Sequence, residues 1–250
     1  MCLILVSNPT KGDFKFIVAS NRDEFYERKT NNMFWWGDID GLLAGKDLEQ
    51  KGTWLGISNK GKFAAVTNVR EFYKDEPAEK FLSRGDLVKD YFNFSGSPQN
   101  YVQNIDAEKY MGFNLIVSNF DSSSVFSSQG IENFNSELIV IGNRALNTET
   151  EKLKSAKKDF QDIISNNFKH SDLINLMQSP KKNYKFDLKQ IRNNHGNEFD
   201  SRFITSDIYG TRSTTVITID RQNLVNVSEV VYDSLGKHSE SNFFNFKIQT

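Results

Sequence analysis

One cysteine, three histidines and four prolines are all that this 250-residue chain holds of those residue types. A single thiol cannot close an internal disulfide or build a cysteine-rich zinc site. The histidines, at 170, 195 and 238, match no metal-ligand spacing, so no metal site is expected. Few prolines mean few rigid linkers, no stretch of altered composition marks a boundary, and residues 1–250 are read as a single domain. An excess of one charge is also missing: 31 Lys and Arg stand against 32 Asp and Glu, a net charge of −1. That balance removes the electrostatic case for a nucleic-acid binder and gives no pull towards an anionic membrane. The first apolar run, Leu3-Ile4-Leu5-Val6, is too short for a signal peptide or a membrane span. The expectation is a cytoplasmic chain without stable membrane insertion. Internal repeats, a phosphate-binding glycine loop and a serine elbow are absent as well.

What is present is an ordinary globular composition, 38% hydrophobic with 21 phenylalanines, long enough to bury a substantial core. Its β-runs come mostly as hairpins. Leu3–Val6 and Phe14–Ala19 flank a turn at Ser7–Asp13. Further hairpins follow at 52–58 with 62–68, at 113–118 with 124–127, and at 216–219 with 224–232. Single strands are read at 137–143 and 243–248. Helical stripes occupy 86–92, 98–105, a long stretch from Thr148 or Thr150 to about Asn167, and 171–177. Residues 181–200, which include His195, read as a surface loop or a lid. Residues 33–37, Met-Phe-Trp-Trp-Gly, read as an aromatic knot in a loop that continues through 42–47; it either lines a ligand pocket or caps the core. Hairpins with interspersed helices indicate an antiparallel α+β fold.

The first two dozen residues carry the chemistry. Folding the first hairpin about Thr10-Lys11 sets Cys2 opposite Ala19-Ser20, with the polar cluster Asn21-Arg22-Asp23-Glu24 just beyond. A cysteine in a buried strand can be no more than a small hydrophobe. The alternative is a nucleophile. Initiator methionine is usually removed before small residues, and Cys2 would then carry an α-amine of pKa about 7.7–8.0 beside a thiol of about 8.5. Such an amine is an established base for a side-chain nucleophile; with Met1 retained it is lost as an amide. Asn68 ends a strand, where it starts a turn or points into a site. Asn143 ends another. Arg212 stands in a dense Thr-Arg-Ser cluster at the mouth of a strand.

Several motifs, in order, resemble the NRDE-motif family, which includes the transport and Golgi organisation 2 proteins. They are Met1-Cys2, Asn21-Arg22-Asp23-Glu24-Phe25, Ala44-Gly45-Lys46-Asp47, Gly52-Thr53-Trp54-Leu55-Gly56, Thr67-Asn68, Ser83-Arg84-Gly85, Gly112-Phe113-Asn114-Leu115 and Tyr209-Gly210-Thr211-Arg212-Ser213. The chain departs from the pattern at Lys29-Thr30, where a proline is usual, and at Asn147, where an aspartate is usual. The resemblance implies a layered α-β-β-α sandwich of antiparallel sheets, like that of the N-terminal nucleophile (Ntn) hydrolases. By analogy with their cysteine-type amidases, such as penicillin V acylase and bile salt hydrolase, Cys2, Asp23, Asn68, Asn143 and Arg212 fall in the order of the catalytic set. In that reading Cys2 attacks a carbonyl and Asp23 orients the amine. Asn143, with Asn68, donates to the oxyanion, and Arg212 lowers the thiol pKa. Arg22, Glu24, Trp36 and Trp54 are candidate substrate contacts.

Two functions follow. One is a Cys-dependent hydrolase of a non-peptide amide or thioester bond in a small molecule, with no cofactor required. The other is a non-catalytic binding or carrier protein for a hydrophobic ligand, for which the resemblance implies haem, acyl-coenzyme A or a lipid.

Overall fold

The computed structural model describes residues 2–69, 78–128, 130–132, 137–146, 148–185 and 199–249. Met1, Asn147, His195 and most of the expected lid lie outside them. In chain order the strands are β1 (Cys2–Ser7), β2 (Phe14–Phe25), β3 (Thr30–Trp35), β4 (Leu42–Asp47), β5 (Leu55–Ser58), β6 (Lys62–Asn68), β7 (Phe113–Ser118), β8 (Ser123–Ser127), β9 (Gly130–Glu132), β10 (Leu138–Ile141), β11 (Lys181–Asn183), β12 (Phe203–Thr205), β13 (Tyr209–Asp220), β14 (Leu224–Tyr232) and β15 (His238–Lys247). The α-helices are α1 (Arg84–Asn93), α2 (Pro98–Gln103), α3 (Glu151–Ile164) and α4 (His170–Gln178). The chain divides into two compact units: Met1–Arg28, Glu137–Gly142 and Asn147–Asn245 form one; Lys29–Ser136, Asn143–Leu146 and Phe246–Thr250 form the other.

The first unit is built on a six-stranded sheet in the order β10-β1-β2-β13-β14-β15. The continuous apolar run of β1 fits a strand buried on both faces. Leu3, Leu5, Ile17, Ala19 and Val216 form one cluster with Ala156 and Phe160 of α3 and with Leu173, Leu176 and Met177 of α4. Thr150 caps α3, its side chain accepting from the Leu153 N–H, which satisfies one of the orphan donors of the first turn. A short parallel pair, β11 with β12, belongs to this unit too.

The first hairpin differs from its expected register. Cys2 pairs with Arg22, while Ser20 faces Ile4. The expected strand stopped at Ala19, yet β2 runs on through the polar cluster to Phe25. The reason is β13, which pairs with β2 along its whole length, from Phe14–Asp220 to Phe25–Tyr209. A strand laddered on both sides stays extended whatever its polarity, provided its side chains find partners.

The second unit is a seven-stranded sheet in sequential order, β3 to β9. Leu87, Val88 and Tyr91 of α1 and Tyr101 and Val102 of α2 pack with Val66, Phe113, Leu115, Val117 and Phe126 of the sheet. Ser83 and Ser97 cap the two helices. Lys62 donates to the Tyr91, Phe92 and Phe94 carbonyls at the end of α1, where a cation complements the helix dipole. The expected loops at 33–37 and 42–47 are largely strand: β3 and β4 pair with a register shift between Asn31 and Phe34, which breaks the alternation a strand reading needs. The aromatic knot is mostly core. Met33 and Trp36 are buried, and of its three aromatic rings only Trp35 is exposed. The Trp36 indole donates to the Ala44 carbonyl at 3.1 Å, and the Lys46 ammonium stands 4.1 Å over its ring.

Candidate functional site

The first unit gathers most of the expected site. Cys2 opens β1 beside Arg22 and Asp23 of β2, and Asp23 in turn pairs with Thr211 of β13. Thr211 donates its hydroxyl to Asp23 Oδ1 at 2.7 Å, and the Tyr209 hydroxyl donates to the Asp23 carbonyl at 2.8 Å. Arg22 and Asp23 are both buried. Burial pushes the Asp23 carboxyl above the usual carboxylate range, against the opposing pull of Lys152 and of the Thr211 hydrogen bond. Burial also raises the Cys2 thiol. Asp23 adds to that rise, while an Asp23 backbone hydrogen bond and the Arg22 charge oppose it.

Asn21 holds this strand in place. Its amide donates to the Met177 and Arg202 carbonyls, each at 2.8 Å, and its oxygen accepts from Thr214 at 2.6 Å. Thr214 accepts from Tyr232, which accepts from Gln178. A buried amide without such partners would cost about 1–3 kcal/mol. Here the network fastens the end of α4 and the Arg202 segment to the middle of the sheet.

Arg212 has a different place from the one expected. Between Thr211–Asp23 and Ser213–Arg22 the register slips across Arg212, a bulge, and bulges re-aim a side chain out of the ladder. Its guanidinium donates to the carbonyls of Phe25 at 2.9 Å and Tyr26 at 3.2 Å, with Arg28 at 3.4 Å. It fixes the turn after β2. Arg22 is an arginine whose charge does bear on the Cys2 thiol, lowering its pKa. Glu24 accepts from the Phe25 backbone N–H. Gly210 explains the glycine of its motif: a Cβ there would lie 2.1 Å from the Tyr26 hydroxyl and 2.7 Å from the Ile204 carbonyl.

Lys152 was not foreseen. It is buried in the first turn of α3, and its charge acts on Asp23. A lysine in a helix's first turn opposes the dipole, and that misplaced charge is the signal that could have found it.

The second unit holds the two strand-end asparagines, and it brings them together. Asn143 Nδ2 donates to the Asn68 carbonyl at 2.9 Å. The Asn68 carbonyl therefore serves as an acceptor. Nearby in sequence, Asn114 Nδ2 donates to the Arg144 carbonyl at 2.8 Å. The glycine-bearing motifs are packing devices. A Cβ on Gly52 would lie 2.7 Å from the Gly85 backbone, and one on Gly45 2.3 Å from the Trp54 indole. Arg84 then donates to the Gly112 carbonyl at 3.2 Å. Trp36 and Trp54 are thus packed side chains of this unit. Among the described residues no three His, Cys, Asp or Glu side chains group as metal ligands, and no helix is long and apolar enough to cross a membrane.

Comparison with known proteins agrees with this picture. The family model described as Transport and Golgi organisation 2 matches residues 1–234. The chain is 30% identical to the Drosophila melanogaster Transport and Golgi organization protein 2 over 97% of its own length and 96% of the relative's. It is 27% identical to the Mus musculus homolog over the whole of both chains. Among solved structures it is similar to the Caenorhabditis elegans ortholog of N-acylethanolamine-hydrolyzing acid amidase, with a TM-score of 0.54, 13% identity, and coverage of 86% of this chain and 92% of that one. It is also similar to penicillin V acylase from Agrobacterium tumefaciens, with a TM-score of 0.51, 13% identity, and coverage of 99% and 86%. At such identities the likeness shows the fold, and it is the α+β, Ntn-hydrolase-like class implied by the motifs. With its ordered motifs accounted for from Cys2 to Ser213, the chain belongs to the Transport and Golgi organisation 2 family.

Proposed function

We propose that Cys2 is the nucleophile of an Ntn-type hydrolase acting on a C–N amide or a thioester bond of a small molecule. The observation that carries this reading is the placement of the lone thiol at the head of β1, next to a buried carboxylate, Asp23, in a fold shared with proteins named as an amidase and an acylase. A thiol raised by burial is not a preformed thiolate at neutral pH, so the reaction needs a base. With Met1 removed, the Cys2 α-amine supplies it within the same residue. The amine takes the thiol proton as sulfur attacks the carbonyl. It returns that proton to the departing nitrogen or sulfur as the tetrahedral intermediate collapses to an acyl-thioester. Water, deprotonated by the same amine, then releases the acid and frees the thiol. Asp23, held by Thr211 and with Lys152 opposing the burial that raises its carboxyl, orients and stabilises the ammonium. The order of motifs along the chain supports Asn143 as an oxyanion donor, steadied by Asn68. Arg212, through the 25–28 carbonyls, positions the end of β2.

The test is the intact mass of untagged protein, followed by a screen of N-acyl amides and acyl thioesters with mass detection of an acyl group on Cys2. Loss of one methionine and a Cys2-linked acyl adduct are expected. Full retention of Met1, or unchanged turnover in Cys2→Ala, overturns the reading.

The carrier reading has one specific constraint. His170 holds both ring nitrogens in hydrogen bonds, to Ser228 and Thr218, and would have to give one up to ligate a haem cargo. Spectral titration with haem and calorimetry with acyl-coenzyme A test it directly.

A further inference from the structure

Far from Cys2 along β13 and β14, the first unit carries an open surface pocket of about 360 Å³. That lies at the small end of the 300–1,000 Å³ usual for ligand pockets. Its inner wall is His170, the first residue of α4, whose Nδ1 lies 2.7 Å from Ser228 Oγ and Nε2 2.9 Å from Thr218 Oγ1. Burial lowers the imidazole pKa and keeps the ring neutral. A neutral imidazole has one donor and one acceptor nitrogen. One of the two hydroxyls therefore donates to the ring, while the other accepts from it and keeps its own hydrogen. Ser228 is 5% exposed and Thr218 1%, and neither hydroxyl has another bond among the described residues. Whichever tautomer holds, one buried hydroxyl hydrogen is left without an acceptor. An unmade bond of that kind is costly for the protein alone and is available to a ligand.

The outer wall repeats the theme. Asn245 Nδ2 of β15 donates to Asn226 Oδ1 of β14 at 2.7 Å. That pairing leaves the Asn226 amine and the Asn245 oxygen without a bond among the described residues, one donor and one acceptor. Exchanging oxygen and nitrogen in both amides leaves the same pair reversed, so the conclusion does not depend on the amide assignment. Phe14, backed by Phe168 at a ring-centroid distance of 5.3 Å, and Phe243, 73% exposed, supply flat apolar faces. Among the described residues no Lys, Arg, Asp or Glu lines the pocket, so none there compensates a charged ligand for the water it would lose.

We propose that this pocket is a second small-molecule site, taking an uncharged planar ring that carries a carbonyl beside an N–H, the lactam, imide and pyrimidine-base class. The ring lies against Phe243. Its carbonyl and N–H meet the free edge of the Asn226–Asn245 pair, and a further carbonyl accepts the spare hydroxyl hydrogen of Ser228 or Thr218.

The test uses the full chain, isotope-labelled, titrated with uracil, with 1,3-dimethyluracil, which has lost both N–H groups, and with benzoate as a charged flat ring. Uracil is expected to shift the side-chain amide resonances of Asn226 and Asn245 and the backbone resonances of Phe243. Asn245→Ala is expected to weaken it about tenfold, the worth of one good polar contact, and Cys2→Ala to leave it unchanged. Because Asn245 is exposed, that variant should fold even if Ser228→Ala does not. No shift by uracil up to about 10 mM, a range that covers weak fragment-sized ligands, overturns the proposal. So does equal or tighter binding of either control ring, or a full response in Asn245→Ala.

Discussion

Both units bury polar side chains along their strands, but not the same kinds. In the seven-stranded unit the fully buried polar groups are amides and hydroxyls, such as Thr53, Thr67, Asn114 and Asn143. In the six-stranded unit they include Arg22, Asp23, Lys152, Arg202 and Glu229, and among the described residues every fully buried charged side chain lies there. Burying an amide with its bonds made costs little, whereas burying a charge is expensive unless it is paired or has work to do. The motifs of one unit are therefore read as joints and those of the other as chemistry. Gly52 against Gly85 and Arg84 on the Gly112 carbonyl hold backbone to backbone. Arg22, Asp23 and Lys152 hold titratable groups where water does not reach them, beside the half-buried thiol of Cys2.

The sharpest way to break the contrast is Cys2→Ala. Turnover of any substrate found should fall on the order of 10⁴-fold or more, as it does when a nucleophile is removed, with the melting midpoint nearly unchanged. Asp23→Asn should lower turnover about 10²-fold and leave the midpoint at neutral pH unchanged or raised by about 2 °C. The sign follows from burial. The folded carboxyl titrates above its unfolded value, so stability is lost as pH rises through the folded value, and a neutral asparagine removes that loss while still accepting from Thr211. A fall of many degrees would show that Asp23 is a joint after all. Gly52→Ala should do the reverse, costing about 1–3 kcal/mol of stability by forcing one backbone off another, with Cys2 alkylation rates in the folded state unmoved. The smallest effect belongs to His170. Its folded pKa lies below the ordinary value, so the unfolded chain binds the extra proton first and stability falls as pH drops below about 6.5. In His170→Gln the difference in midpoint between neutral and mildly acid buffer should shrink by about 2 °C.

Much of this was legible in the sequence where a local signal exists. The hairpin of β7 and β8, the cap of α3 and the strand ending at Asn68 are all written within a dozen residues of themselves. The polar half of β2 is not. Asn21, Arg22 and Asp23 resemble a turn because the residues that satisfy them, Met177, Arg202, Thr211 and Thr214, lie more than 150 positions away. The two- to three-residue error in the Cys2 register follows from the same blindness, since a strand thought to stop at Ala19 cannot carry a pair at Arg22. The role expected of Arg212 was displaced by a bulge that leaves no trace in composition. Lys152 was missed because a single lysine on a helix ordinarily means solvent.

The bond from Thr214 to Asn21 spans 193 positions, and that distance is also an interval of time. At roughly 5–20 residues per second, a ribosome takes about 10–40 s after finishing β2 to deliver β13. Through that interval the strand bearing the thiol's neighbours has one edge open and its carboxylate without Thr211. A message cut short before Thr211 would yield a product with a hydrophobic sheet edge and an unmatched acidic group, the kind of chain that quality control removes. In the intact protein β2 gains its second neighbour only once β13 has been made.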